Sequence, residues 1–294
     1  MSERKWDYTT LNYFMQCPKK YYYRMIKHLE AKRTAPALLF GRAMHFGIED
    51  YYKAKLDGKD FDECKECGIN GFCKDFKDIE GETLRTTDTA KRVLNGYFAV
   101  YKNEPIRITD QEIGFCIPIG NYLYAGRMDA RGYYGSVKYI FERKTTSMLR
   151  SNYFKQYNPN MQIDGYVYAE EMFTGEKCQG VMVDAIEVWK PVKRVTAKTK
   201  SLADHYVRSP EARTKWQLEQ FEKDFTSLVE DVLRCEESGK FWRNRGNCFS
   251  YNYYCPYKEL CMYGDDERII KQDFKIEKWE PYAEKIEGEK KEEK

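Results

Sequence analysis

Glu142 and Lys144 stand two apart in FERKTTS, and Asp129 precedes them in GRMD. The acid-X-lysine triplet alone is uninformative, because Asp57-Gly-Lys59, Glu63-Cys-Lys65 and Asp75-Phe-Lys77 repeat it. Its setting is different. YYGSVK offers a two-residue Gly135-Ser136 turn, with glycine at the first central position as a type II′ hairpin prefers. That turn pairs Tyr134 with Val137, Arg131 with Ile140 and Asp129 with Glu142, holding the two carboxylates with Cβ atoms about 5 Å apart. Strand alternation puts Lys144 on the same face as Glu142. Two carboxylates so close repel unless neutralised, which a hard cation such as Mg²⁺ does through oxygen ligands. A nearby lysine can orient a water and offset negative charge building on a phosphate. The chemistry this suits is metal-assisted phosphodiester hydrolysis.

Cysteines form the second candidate set. The chain has ten, and MSERKWDYTTLNYF lacks an apolar run of signal-peptide length. Reduced thiols and metal ligation are therefore expected rather than a disulfide framework, in a soluble cytoplasmic protein. Cys248, Cys255 and Cys261 cluster in NCFSYNYYCPYKELC, and Cys17 stands near the opposite end. Four thiolates suffice for a [4Fe-4S] cluster, with structural zinc as the alternative. Cys64, Cys67 and Cys73 make a further knot with no obvious fourth ligand.

The elements that must position these groups follow from periodicity. TTLNYFMQCPKKYYYRMI predicts a helix that breaks near Pro18 and resumes. APALLFGRAMHFGIEDYYKAKLDG predicts an amphipathic helix ending at Gly58, and DTAKRVLNGYFAVYKNEP another, capped by Asp88. Between them, residues 60–87 read as an irregular insertion. From Ile106 to Phe141 the period becomes two, which predicts consecutive antiparallel strands. A helix over NMQIDGYVYAEEMF, a strand in GVMVDAIEVWK and a long helix from Trp216 to Leu233 follow. The expected fold is α/β, a central mixed sheet with an antiparallel catalytic hairpin, flanked by helices. Residues 1–264 would form one domain, and 265–294 a charged, flexible tail.

A chain of 294 residues with 42% hydrophobic and 16% aromatic content can build a substantial core. Its charge of +3 is the near-cancellation of 50 basic and 47 acidic side chains, so a nucleic-acid surface, if present, is local. The most apolar stretch, VMVDAIEVW, is interrupted by Asp184 and Glu187, and no membrane partner is expected. There is no Gly-X-X-X-X-Gly-Lys-Ser/Thr phosphate loop, hence no recognisable motor.

GRMD and FERK together resemble the motif of the PD-(D/E)XK nuclease superfamily, with Met128 where its leading proline would stand. Gly41 through His45 in GRAMHFGIE, and Gln162 and Tyr166 in QIDGY, make the chain similar to the RecB-type exonuclease branch. That branch includes the nuclease part of AddB and the CRISPR-associated adaptation nucleases. The resemblance covers most of residues 10–264 and implies a restriction-endonuclease-like core. It implies that His45, Asp129, Glu142 and the backbone carbonyl of Arg143 ligate one or two Mg²⁺ or Mn²⁺ ions, and that Lys144 acts on the attacking water. Gln162 and Tyr166 would hold the lysine or the substrate strand. It also implies a [4Fe-4S] cluster on Cys17, Cys248, Cys255 and Cys261, although six residues separate Cys248 from Cys255 where the branch usually has two.

The activity so implied is a metal-dependent DNA exonuclease on single-stranded or opening duplex ends, in recombination, repair or phage replication. A helicase or recombinase would be its partner. A structure-specific endonuclease or nickase, and a non-catalytic nucleic-acid-binding protein with a structural cluster, are the alternatives.

Overall fold

The computed structural model describes residues 4–191, 196, 199–250 and 253–280. In chain order the main elements begin with β1 (Lys5–Trp6), α1 (Tyr8–Gln16), α2 (Pro18–Tyr21), β2 (Leu29–Ala31), α3 (Pro36–Leu56), α4 (Phe61–Asp75) and α5 (Thr87–Val100). Strands β3 (Ile106–Ile119), β4 (Tyr122–Tyr134) and β5 (Val137–Thr146) follow, then α6 (Met161–Thr174), β6 (Gly180–Glu187), β7 (Tyr206–Ala212) and α7 (Lys215–Ser238). The chain continues through β8 (Phe249–Ser250), β9 (Tyr253–Tyr254), α8 (Lys258–Tyr263), α9 (Glu267–Asp273) and β10 (Phe274–Ile276).

The sheet is mixed, in the order β1-β4-β5-β6-β7 with β3 also on β4. Strands β4 and β5 are antiparallel, with Tyr134 opposite Val137 and Arg131 opposite Ile140 as the turn requires, and Gly135 has φ +60°. Strand β6 lies parallel to β5 and antiparallel to β7. It is buried along its whole length, which explains its run of apolar residues. The parallel β5–β6 pair needs a crossover, and α6 provides it.

The chain divides into two compact units: residues 1–34, 114–126 and 215–294, and residues 35–113 and 127–214. In the second, Phe40, Met44 and Ile48 of α3 join Phe72 of α4, Leu94 and Phe98 of α5, and Phe141 and Met182 of the sheet in one core. In the first, Tyr23, Leu29, Tyr257, Leu260 and Phe274 pack together. Tyr21 and Tyr23 of KKYYYR are buried there, so they serve packing.

Three local expectations change. The segment 60–87 contains the regular helix α4, opened by a reciprocal cap between Asp60 and Glu63. Thr86 rather than Asp88 caps α5. Residues 267–276, expected within the tail, form α9 and β10, the latter paired with β2; residues 281–294 lie outside the described residues.

The patterning hid α4 because Gly68 and Gly71 weaken a helix. They are there for contact. A Cβ on Gly68 would stand 2.7 Å from the Phe98 ring, and a Cβ on Gly47 of α3 would stand 2.8 Å from the carbonyl of Gly68. Gly47→Ala is expected to force α3 off α4 and cost about 2 kcal/mol, read as a lower urea midpoint with unchanged slope.

Candidate active site

All the residues implied for the active site fall in the second unit. Glu142 and Lys144 share one face of β5, as alternation demands, and their carboxylate and ammonium form an ion pair. Arg143 points the other way: its side chain is buried, and its guanidinium donates to Gln111 Oε1 at 3.0 Å. Only its backbone faces the acids, where its N–H donates to Asp129 Oδ2 at 2.8 Å.

Helix α3 brings His45 against the same carboxylate, Nδ1 3.3 Å from Asp129 Oδ2. Gly41, one turn earlier on the same face, permits this approach, since a Cβ there would stand 3.0 Å from Thr145 Oγ1 of β5. From α6, Gln162 Nε2 lies 3.4 Å from Glu142 Oε1 and donates to the Tyr166 hydroxyl at 3.0 Å; that hydroxyl donates to the carbonyl of Arg127 at 2.9 Å. Asn160 caps α6 by accepting from Gln162 N, which fixes where Gln162 starts the helix.

His45, Asp129 and Lys144, with Glu142 buried behind them, line a cleft of about 370 Å³, to which Arg42, Glu112 and Arg127 also contribute. Nothing in the sequence marked those last three. Glu112 has φ +51°, a left-handed conformation inside a strand, and pairs with Arg127 at 2.8 Å.

Burial and charge set the protonation states. Burial alone would lower His45, but the charge and hydrogen bond of Asp129 outweigh it and raise it above the ordinary histidine value. Burial likewise opposes ionisation of Asp129, yet His45, Arg143 and Lys144 hold it well below the usual carboxylate range. Glu142 is raised by burial and then by repulsion from Asp129, against the pull of Lys144. Lys144 is raised because Glu142 and Asp129 overcome its burial. It therefore stays cationic at neutral pH.

His45 offers a direct test, as the sequence has only three histidines. Its imidazole should titrate above the ordinary histidine value by NMR, and in Asp129→Asn, which removes the largest influence opposing burial, it should titrate below its wild-type value. An unchanged midpoint would separate His45 from Asp129.

The metal expectations need correction. Among the described residues, no group of three or more His, Cys, Asp or Glu is arranged to hold a metal ion. At His45, Asp129, Glu142 and Arg143 the contacts are pairwise: Asp129 is held by His45 and the Arg143 N–H, and Glu142 Oε1 by Lys144, while Glu142 Oε2 is buried without a hydrogen-bond partner. The expected Mg²⁺ or Mn²⁺ site is not formed by these residues.

The same finding overturns the [4Fe-4S] cluster and its zinc alternative. Cys17, Cys248, Cys255 and Cys261 do line one cavity of about 200 Å³, in the first unit. All are free thiols, as are the other six cysteines. Burial pushes the Cys255 and Cys261 thiols up, against the thiolate form that ligation needs, and Cys17 Sγ accepts a hydrogen bond from Asn244 N at 3.3 Å.

A mixed sheet flanked by helices, with two acids and a lysine brought together on an antiparallel strand pair, defines a restriction-endonuclease-like α/β protein. The sequence matches the model of the PD-(D/E)XK nuclease superfamily over residues 5–262, and the chain belongs to that superfamily. Among solved structures it is similar to a protein from Eubacterium rectale named a candidate exonuclease. The two are 12% identical, with a TM-score of 0.48 over 88% of this chain and 93% of that one. No curated protein matches the sequence. Among the described residues, no helix is long and apolar enough to cross a membrane.

Proposed function

We propose that the protein is a DNA exonuclease of the RecB-type branch, hydrolysing phosphodiester bonds at single-stranded or opening duplex ends. The observation that carries this reading is the meeting of His45, Asp129, Glu142, Lys144 and Gln162 around the β4–β5 strand pair, from four separate stretches of sequence.

In this reading a water attacks phosphorus and gives its proton to Glu142, whose raised affinity for protons suits it as the base. The bond from phosphorus to the leaving ribose oxygen breaks, and His45, held as imidazolium by Asp129, returns a proton to that oxygen. The Lys144 ammonium offsets the charge that grows on the phosphate between these events. Gln162, anchored on Tyr166, fixes the orientation of Glu142. DNA is the proposed partner, and a helicase or recombinase that exposes ends is the proposed supplier of substrate.

The test is digestion of one DNA sequence in two forms, an end-labelled linear single strand and the same strand closed into a circle, each with EDTA and with added MgCl₂. Loss of the linear strand with an intact circle is expected. A linearised circle would instead assign an internal cutter, and survival of both forms under both conditions would overturn the nuclease reading.

A further inference from the structure

Between Cys248 and Cys255, the strand residues Phe249, Ser250, Tyr253 and Tyr254 carry a feature that the active site does not use. Strands β8 and β9 pair Phe249 with Tyr254 and Ser250 with Tyr253, and the Cys255 N–H donates to the Cys248 carbonyl at 2.9 Å, closing the base of the hairpin. An ordinary hairpin this short hides one aromatic face against the protein. This one does not: Phe249 is 52%, Tyr254 62% and Tyr253 75% exposed, and Trp242 nearby in sequence is 60% exposed. The Phe249 and Tyr254 rings stand 4.9 Å apart, so they hold each other up rather than collapse onto a core.

The sequence through them carries charge of one sign. From Lys240 to Lys258 the sequence contains Lys240, Arg243, Arg245 and Lys258 and no carboxylate. Lys258 Nζ lies 4.1 Å from the Tyr254 ring centroid; the first acid beyond it, Glu259, is 3.7 Å from the same ammonium. Tyr254, Lys20, Arg243 and Lys258 also line the cavity of about 200 Å³ that the four cysteines line; its inner surface is almost wholly apolar, so the charged ends of these side chains contribute little to it. Exposed rings beside cations favour a partner with flat apolar faces and a regularly charged backbone.

We infer that the β8–β9 hairpin is a stacking platform for unpaired bases of single-stranded DNA, with Lys20, Arg243 and Lys258 receiving its phosphates. The inference rests on the nuclease reading only for the choice of DNA, and its test is a binding measurement that needs no cleavage. Duplex DNA, whose bases are already stacked on one another, cannot use the rings.

The probe is fluorescein-labelled oligothymidine, followed by anisotropy in the Lys144→Ala background so that the strand is not consumed. Tyr253→Ala with Tyr254→Ala is expected to weaken binding about tenfold or more, with little change for a blunt duplex of equal length. A strand of the same length without bases should bind the unaltered hairpin as weakly as the thymidine strand binds the variant. Equal affinity of thymidine and baseless strands, or of altered and unaltered hairpins, overturns the platform and leaves the cleavage test untouched. Loss of a dimer in the variant, with DNA affinity unchanged, would assign the face to a second copy of this chain and also overturn it. Both exchanged side chains are exposed, so circular dichroism and Tm should match the parent.

Discussion

Lys144→Ala should lower the rate of DNA hydrolysis about 100- to 1000-fold while leaving the protein folded, the loss expected when one preorganised charge is removed from a developing anion. Its ammonium is partly exposed at the cleft and paired with Glu142, so the substitution removes no core volume. It does change Glu142. Burial and Asp129 already raise that carboxyl, and Lys144 is the first opposing influence. Without the lysine, Glu142 should hold its proton to higher pH. As base it works only when ionised, so activity falls as pH drops through its pKa. The acid limb of the wild-type pH–rate profile should therefore lie above the ordinary glutamate value, and in the variant residual activity should have its limb higher still. Lys144→Arg keeps the charge but changes its shape and reach, and should recover only part of the rate. A Lys144→Ala enzyme with wild-type kcat would remove this residue from the mechanism.

The largest effect on stability is expected from Arg208→Ala. Arg208 of β7 is directly opposite Asp184 of β6, which in turn is opposite Arg143 of β5. Its Nε lies 3.0 Å from Asp184 Oδ2, and its guanidinium donates to the hydroxyl of Tyr97 at 2.7 Å and of Tyr52 at 3.2 Å. It also pairs with Glu104 and stacks 3.7 Å from the centroid of Tyr101. Arg208 and Asp184 are both buried, and burial pushes the Asp184 carboxyl up to about 7. Truncating the cation leaves Asp184 with only the Tyr97 hydroxyl and the charge of Arg143, and removing one partner of a buried pair costs about 3–5 kcal/mol. The corresponding fall in Tm is on the order of 10 °C. Asp184→Asn in the same protein should return part of the loss, because it discharges that group. A drop of only a degree or two would show that water reaches the network.

The β4–β5 hairpin was legible from Tyr134–Val137 to Ala130–Phe141 because the two-residue Gly135-Ser136 turn fixes register; the expected pairing of Asp129 with Glu142 is not part of that ladder, and Asp129 meets the Arg143 N–H through its side chain instead. The helical spacing of Gly41 and His45 was legible for the same local reason. Side-chain partners chosen across the fold were not. Whether Asp129 would meet His45 and a backbone N–H, or an ion, depends on distances of a few tenths of an ångström that no spacing encodes. Strand β7 was missed because YVRSPEA carries charges and a proline, which suit an edge strand and obscure alternation. Nothing in that pattern singles out Arg208.

The two glycines of α3 constrain motion as well as packing. Gly41 sets the helix against β5, and Gly47, six residues on and on a different face, sets it against the backbone of α4. The Gly47 contact is backbone on backbone and has no rotamer to absorb a displacement, whereas Gly41 meets the Thr145 side chain, so α3 is held more stiffly at Gly47 than at Gly41, with His45 between the two contacts. Helix α4, which contributes nothing to the cleft lining, thus acts on the cleft only from behind, as the backing of the helix that carries the imidazole.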